Sequence, residues 1–326
     1  MRAVAVPGRW VWGLSGLVTA ALLVVPGVRL VTAPGTPWHR QPPPDTVTRS
    51  LTVSQNVTSM DVQSNGGSVQ VSTGPVRHVQ VTEALSYDSQ DGGPPGVVQS
   101  VSGGRLTLAD PVCATSNCTV SFAVIVPSSV AVTVATDGGP VSVDGAAGAN
   151  VDSGGGPMSI AHISGPLTAS TEGGSLQLNE TAEANVDSGG GPVTAAQING
   201  PLTVSTDGGS LQVNGLAGTL RADTGGGPLF MQGVSAATAT ASTGGGSARI
   251  DFSTAPETVT LSTDGGPAML TVPSGLYAVI AESDGGPQSV GFATDSTARR
   301  SITVTSGGGP LQIGQSPAHP STAPSS

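Results

Sequence analysis

Residues 132–143 read VTVATDGGPVSV. Apolar side chains alternate with small polar ones on both sides of a Gly-Gly-Pro corner. The pattern then repeats outward along the chain. The second glycine of the pair falls at Gly139, Gly156, Gly174, Gly191, Gly209, Gly227, Gly246, Gly266, Gly286 and Gly309. Successive copies are 17, 18, 17, 18, 18, 19, 20, 20 and 23 residues apart. A near-constant period of this size is the signature of stacked repeats, in which each unit buries its apolar face only against its neighbours.

The register inside one copy is strict. Counted from the second glycine, four positions are apolar: seven and five residues before it, two and four after it. Of these 40 positions, 39 are apolar and Gln288 is the exception; at 37% overall hydrophobic content about 15 would be apolar by chance. Mostly polar residues stand between them. That is period-two alternation, so each copy carries two short strands with one buried face. Two adjacent glycines suit a corner that needs positive φ or a close backbone approach. Pro or Ser follows each pair. Proline has no N–H, so this position is expected to donate nothing to the ladder.

Three residues before the second glycine every copy has a hydroxyl: Thr136, Ser153, Thr171, Ser188, Thr206, Thr224, Thr243, Thr263, Ser283 and Ser306. By parity these side chains point inward, where each can satisfy a neighbouring carbonyl or the hydroxyl of the next coil. The expected fold is therefore all-β, a parallel β-solenoid of about ten coils of 17–23 residues over 128–314. At ordinary strand spacing it would run about 48 Å.

Residues 1–9 are short and basic, and 10–28 carry no charge before Arg29. Such a run is long enough to cross a bilayer as a helix, with the arginines holding residues 1–9 in the cytoplasm. The prediction is a spanning helix over 10–31, with a secretory signal cut after Ala33 as the competing reading. Residues 32–46 are Pro-rich and read as a linker. Residues 47–127 read as irregular β structure that caps the first coil. There Met60, Val62, Ser64, Gly66-Gly67, Val69 and Val71 repeat the register, and Gly103-Gly104 with Leu106 and Leu108 is a partial match. The tail, 315–326, carries no strand pattern. Cys113 and Cys118 are the only cysteines; in an oxidising compartment they are expected to close a small disulfide loop, with free thiols or a metal site as alternatives.

Net charge is −10, and all 11 basic residues are arginine. That makes nucleic acid a poor partner. His39, His78, His162 and His319 are scattered, and no His/Asp/Ser or His/Cys group shares a register, so no enzyme and no cofactor is expected. The acids are ordered. Asp137, Glu172, Asp207, Asp264 and Asp284 stand two before the second glycine, and Asp152, Asp187, Asp223 and Glu282 four before it. Alternation of this kind keeps like charges off adjacent strands; a calcium-binding edge is the other reading. An ice-binding face would need a uniform threonine array, whereas Thr133, Thr168 and Thr203 alternate with Asn150, Asn185 and Arg221.

The paired cysteines, the run VSFAVIVPSSVAVTVATDGGPVSV at 120–143 and the following ANVDSGGGP and LTVSTDGGS repeats are similar to the bacterial "putative adhesin" family of the DUF4097 type. The likeness spans about residues 47–314. That family usually shows Ser-Gly-Asp at the corner, where this chain has Gly-Gly-Pro or Gly-Gly-Ser. The resemblance implies an extracytoplasmic β-solenoid and carries over no catalytic residue. The expected role is a non-enzymatic, membrane-anchored surface or envelope protein, meeting cell-wall polymer or surface proteins. Two alternatives are a sensory or scaffolding ectodomain working with a membrane partner, and self-association through the solenoid ends.

Overall fold

The computed structural model describes residues 44–88, 93–94, 96–110 and 118–316. The expected spanning helix, the linker up to residue 43, Cys113 and the tail from residue 317 lie outside the described residues; Asp45 and Thr46, expected in the linker, and Gln315 and Ser316, expected in the tail, instead pair as strand ends. Among those described there are 27 strands and no helix, arranged in two sheets of 14 and 13 strands. Each regular coil gives one strand to each sheet. Ala131–Thr136 enters the pre-corner sheet and Val141–Ala146 the post-corner sheet; the next coil adds Gly148–Ser153 and Met158–Ile163. The chain is an all-β parallel solenoid of about ten turns.

Strand pairing keeps the repeat register. In the pre-corner sheet Val132 pairs with Ala149, then come Leu167, Ala184 and Leu202. In the post-corner sheet the column runs Val141, Met158, Leu176, Val193 and Leu211. All ten are buried. Each fully buried Val, Leu or Ile contributes about 1.5–3 kcal/mol. The many alanines keep the column thin enough for the two sheets to close over it. Proline is accepted after the corner for the expected reason. That residue gives the ladder only its carbonyl: Val69 donates to Pro140 O (3.0 Å) and Val141 to Pro157 O (2.9 Å).

A further core column escapes the sequence register. Past each post-corner strand, Ala146, Ile163, Thr181, Ile198, Leu216 and Val234 turn inward and are buried. The residue before each has positive φ: Gly145, His162, Glu180, Gln197, Gly215 and Gly233, at 52–81°. One left-handed residue re-aims the chain, so two successive side chains do not alternate there.

The two ends depart from sequential stacking. Ser59–Ser64 and Val69–Thr73 form a coil directly against the Gly139 coil, with Met60 opposite Val132 and Val69 opposite Val141. The segment between this coil and the next runs outside it. Arg105–Ala109 pairs with Ser59–Ser64, and Thr119–Val126 with Val69–Thr73. Val79–Tyr87 and Asp45–Val53 then extend the post-corner sheet antiparallel. Gly103-Gly104 is not a coil corner. It is the two-residue turn of an antiparallel hairpin, both residues with positive φ, and it places Leu106 and Leu108 beside Met60 and Val62 in the pre-corner sheet.

At the other end the last two copies exchange places. Ser301–Ser306 lies between Thr258–Thr263 and Ala278–Ser283, and Leu311–Ser316 between Ala268–Pro273 and Gln288–Val290. The ninth copy is thus the outermost rung, and its inward residues Val279, Ala281, Gln288 and Val290 are only partly covered or exposed. This accounts for the one polar residue in the core register. With its amide oriented to match, Gln288 donates to the Ala281 carbonyl (3.1 Å) and accepts from the Ser283 N–H (2.7 Å). Those groups lie on the free edge of Ala278–Ser283. Tyr277 plugs the same end: it is fully buried, donates to Pro273 O (2.9 Å) and meets Phe292 edge-on at 6.0 Å.

Candidate functional site

At the Gly-Gly corner the hydroxyl column turns onto the corner peptides, mostly those of its own coil. Ser188 donates to Gly191 O (3.0 Å), Thr206 to Gly209 O (3.0 Å), Thr224 to Gly227 O (2.8 Å) and Thr263 to Gly266 O (2.7 Å). Elsewhere the hydroxyl accepts from the glycine N–H, as at Gly139 and Thr136 (3.1 Å) and at Gly174 and Thr171 (2.9 Å). Ser153, Thr243 and Ser283 also accept from their glycines, and Ser306 donates to Gly309 O. The partner is a corner peptide throughout, for Thr243, Ser283 and Ser306 that of the adjacent rung as well (Gly227 O 3.1 Å, Gly309 O 3.2 Å and Gly266 O 3.4 Å), and never the hydroxyl of the next coil. All ten except Ser283 are buried. They hold the turn and present nothing to a ligand.

The glycines are there for close approach, not for positive φ. A Cβ on the second glycine would overlap the carbonyl oxygen of the rung before: Gly67 for Gly139, Gly139 for Gly156, Gly156 for Gly174. The first glycine of each regular pair meets nothing closer than about contact distance. A third glycine explains the acid alternation. Where a copy lacks an acid two before the second glycine, it has Gly154, Gly189, Gly225, Gly244 or Gly307, and a Cβ at Gly154 would overlap the Asp137 carbonyl. The other acid column alternates with hydroxyls, and Ser170 donates to Asp152 at 2.8 Å. Carboxylates in one column therefore stand mostly two rungs apart, about 9–10 Å.

The positive-φ corner carries a polar group that spacing alone did not bring to notice. His162 Nδ1 lies 2.6 Å from Asp144 Oδ1, and its Nε2 lies 3.5 Å from Glu180 Oε2. The signal was present: each member is 18 residues from the next, one repeat length. The hydrogen bond to Asp144 leads in raising the His162 pKa above the ordinary imidazole value. Next to it a trough is lined by Glu180, Gln197, Asn199, Gly215, Gly233 and Ser235.

The outer faces are mostly polar. In the post-corner sheet Gln70, Ser142, Ser159, Gln177, Thr194 and Gln212 stand in one row, one per rung. Beside them lies an open groove of about 370 Å³, floored by Pro140 and Pro157. In the pre-corner sheet the end exchange brings Thr303 beside Thr260, which in turn pairs with Thr240. The hydroxyl array there is three rungs wide, bounded by Arg221 and Ile280. Cys118 stands one residue before Thr119–Val126. Away from the faces, Glu83 points inward between Val81 and Leu85 and is 3% exposed. Burial raises its pKa above the ordinary carboxylate value, and Arg49, opposite it, pulls the other way.

No family model and no curated protein matches the chain. Among solved structures, it is similar to a "putative adhesin" from Parabacteroides merdae: 14% identity, 82% of this chain, 95% of that one, TM-score 0.43. A "putative adhesin" from Parabacteroides distasonis gives 12%, 82%, 97% and 0.38. A "putative lipid binding protein" from the same species gives 10%, 82%, 96% and 0.31. At these values what those proteins bind stays with them.

Proposed function

We propose that this chain is a non-enzymatic, extracytoplasmic β-repeat protein of the DUF4097 adhesin type. Residues 10–31 hold it to the membrane, and Cys113 and Cys118 are joined in a disulfide. Its outer faces engage uncharged wall polymer or surface proteins. The observation that carries this reading is the unbroken row from Gln70 to Gln212 beside the Pro140–Pro157 groove. Hydroxyls and amides at one rung's spacing offer donors and acceptors in a straight line, which suits a hydroxyl-rich polymer lying along the stack. The acid columns and the net charge of −10 oppose polyanions.

The test is co-sedimentation of the full chain with isolated wall material. Ser159→Trp, which fills the groove, abolishes binding while leaving the melting temperature unchanged; undiminished binding refutes the role of this face. Cross-linking that recovers one dedicated membrane protein instead supports the sensory ectodomain. Calcium enters neither reading, and millimolar calcium is expected to leave the melt unshifted. Mass spectrometry of the mature N-terminus decides between a retained anchor and cleavage after Ala33, and intact mass with and without reductant tests the disulfide.

A further inference from the structure

The corner that leads into the pre-corner sheet changes character over the last three rungs. Two residues before the first inward position of that sheet, successive coils carry Ala147, Gly165, Ala182, Gly200, Gly218 and Ala237. The corner is tight there. A Cβ at Gly165 would overlap the Ala147 carbonyl oxygen, one at Gly200 that of Ala182 and one at Gly218 that of Gly200. In the next three rungs the same position holds Glu257, Arg300 and, outermost, Tyr277. The repeats that supply them are the longest of the regular series, at 20, 20 and 23 residues. The ladder runs on through the enlarged corner: Glu257 N–H donates to Ala237 O, Ser301 to Glu257 O and Ala278 to Arg300 O, each at 2.8 Å.

The larger side chains border a groove of about 660 Å³, whose walls include Ala255, Glu257, Leu276, Ala298, Arg299 and Arg300. That is a usual size for a small-ligand site. Its chemistry differs from that of the rest of the surface. Arg299-Arg300 is the only pair of adjacent basic residues in a chain of net charge −10. Among the described residues neither guanidinium is in an ion pair. Glu257 is the one carboxylate on the walls, so the groove keeps a single net positive charge. Gly275 makes room for Arg300: a Cβ there would stand 3.4 Å from its Nη1 and 3.4 Å from the Tyr277 ring. Leu276 is 63% exposed, the most of any large apolar side chain among the described residues, and Ala255 and Ala298 are half-buried.

We propose that this groove binds a single carboxylate next to a short apolar side chain, the chemistry of a peptide C-terminus ending in Ala, Val or Leu. Arg299 and Arg300 supply charge-assisted N–H donors in the forked geometry that matches a carboxylate. Leu276 and the two alanines cover a short side chain and are too few to cover a long acyl chain. Glu257 disfavours ligands of higher negative charge. The site belongs to the lead-in of the pre-corner sheet. It depends on neither the row from Gln70 to Gln212 nor a polymer bound there, so either reading can fail alone.

The experiment titrates the full chain with N-acetyl-Ala-Leu, and with the same peptide as its C-terminal amide, following the Arg299 and Arg300 Nε–H and the Leu276 methyl resonances by NMR. Saturable shifts are expected with the free acid. The amide, which lacks the charge, binds at least about tenfold more weakly. Arg299→Gln changes an exposed side chain, so it melts as the wild type does and weakens binding of the acid about tenfold. Leu276→Ala weakens it several-fold, and Glu257→Gln strengthens it by removing the like charge. Inorganic phosphate binds more weakly than the acid. No saturable shift with the acid overturns the proposal. So does equal binding of acid and amide, an Arg299→Gln chain that binds the acid as the wild type does, or phosphate binding as tight as the peptide's.

Discussion

Alanine at the second glycine of a corner should unseat a rung, whereas alanine one residue earlier should do almost nothing. Gly155 and Gly156 make the comparison. A Cβ at Gly156 would overlap the Gly139 carbonyl oxygen and stand 2.6 Å from its carbon and 2.7 Å from Gly138 O, where ordinary contact begins at 3.4 Å. The two rungs must part by roughly 1 Å at that corner, well beyond what close-packed atoms give without loss. Gly154 N to Thr136 O and Val141 N to Pro157 O, both 2.9 Å, flank the overlap and lengthen with it. Overpacking costs about 1–3 kcal/mol and each ladder bond about 1 kcal/mol. Gly156→Ala should therefore destabilise by about 3–5 kcal/mol, a melting decrease of roughly 6–20 °C for a domain of this size. At Gly155 the space is open, and Ala should stay within about 1 kcal/mol of wild type. Thermal melts give the totals, and hydrogen exchange at Gly154 and Val141 shows whether the loss is local. Equal effects from the two substitutions, or a Gly156→Ala chain within about 1 kcal/mol of wild type, would refute the close-approach argument.

Thr181 is fully buried in the inner corner column between Ile163 and Ile198, with no partner for its hydroxyl; Thr181→Val should raise stability by about 1 kcal/mol in a urea melt. Glu83 has a folded pKa above its unfolded value, so its charged form works against the fold, and stability is lost as pH rises through the folded pKa. Glu83→Gln should raise the melting temperature at pH 8, with the gain shrinking as pH falls into the carboxylate range. Gln288→Val removes the amide that covers the free edge at Ala281 and Ser283, and sedimentation velocity should then show concentration-dependent self-association. Truncation after residue 300 removes the only strand neighbours of Ala278–Ser283 and Gln288–Val290; limited proteolysis should show two rungs lost, where a sequential stack would lose one.

The core was readable because parity and period both act on every copy. Val141, Met158 and Leu176 fall into one column as soon as the glycines are aligned, and parallel pairing without slip preserves that column. The inner corner was not readable by parity, because a left-handed residue interrupts alternation just before Ile163 and Leu216. Counting at fixed distance from the glycine would have found it, since five of the six residues seven places on, from Ala146 to Val234, are apolar. His162 looked solitary for a related reason. Its partners are distant along the chain and adjacent only across rungs.

The exchange of the last two copies also left a trace. Through the first six copies, acids two before the second glycine alternate with glycine, because one rung's glycine lies under its neighbour's carbonyl. Copies eight and nine then carry Asp264 and Asp284 in succession, which puts two acids together and breaks the rule in sequence order. In space Gly307 stands between them, against the Asp264 carbonyl, so no two acids of this column are neighbours; the adjacent Gly225 and Gly244 are the one departure from strict alternation. Gln288 says the same from the core side, since a polar amide belongs on the outermost rung and not within the column. At the C-terminal end, then, the last regular coil is an interior rung, and the outermost rung, Ala278–Ser283 with Gln288–Val290, is a segment tethered at each side. A solenoid frays from its ends. Here fraying would have to open a segment held at both its ends before the coil of Ser301–Ser306 and Leu311–Ser316 could leave.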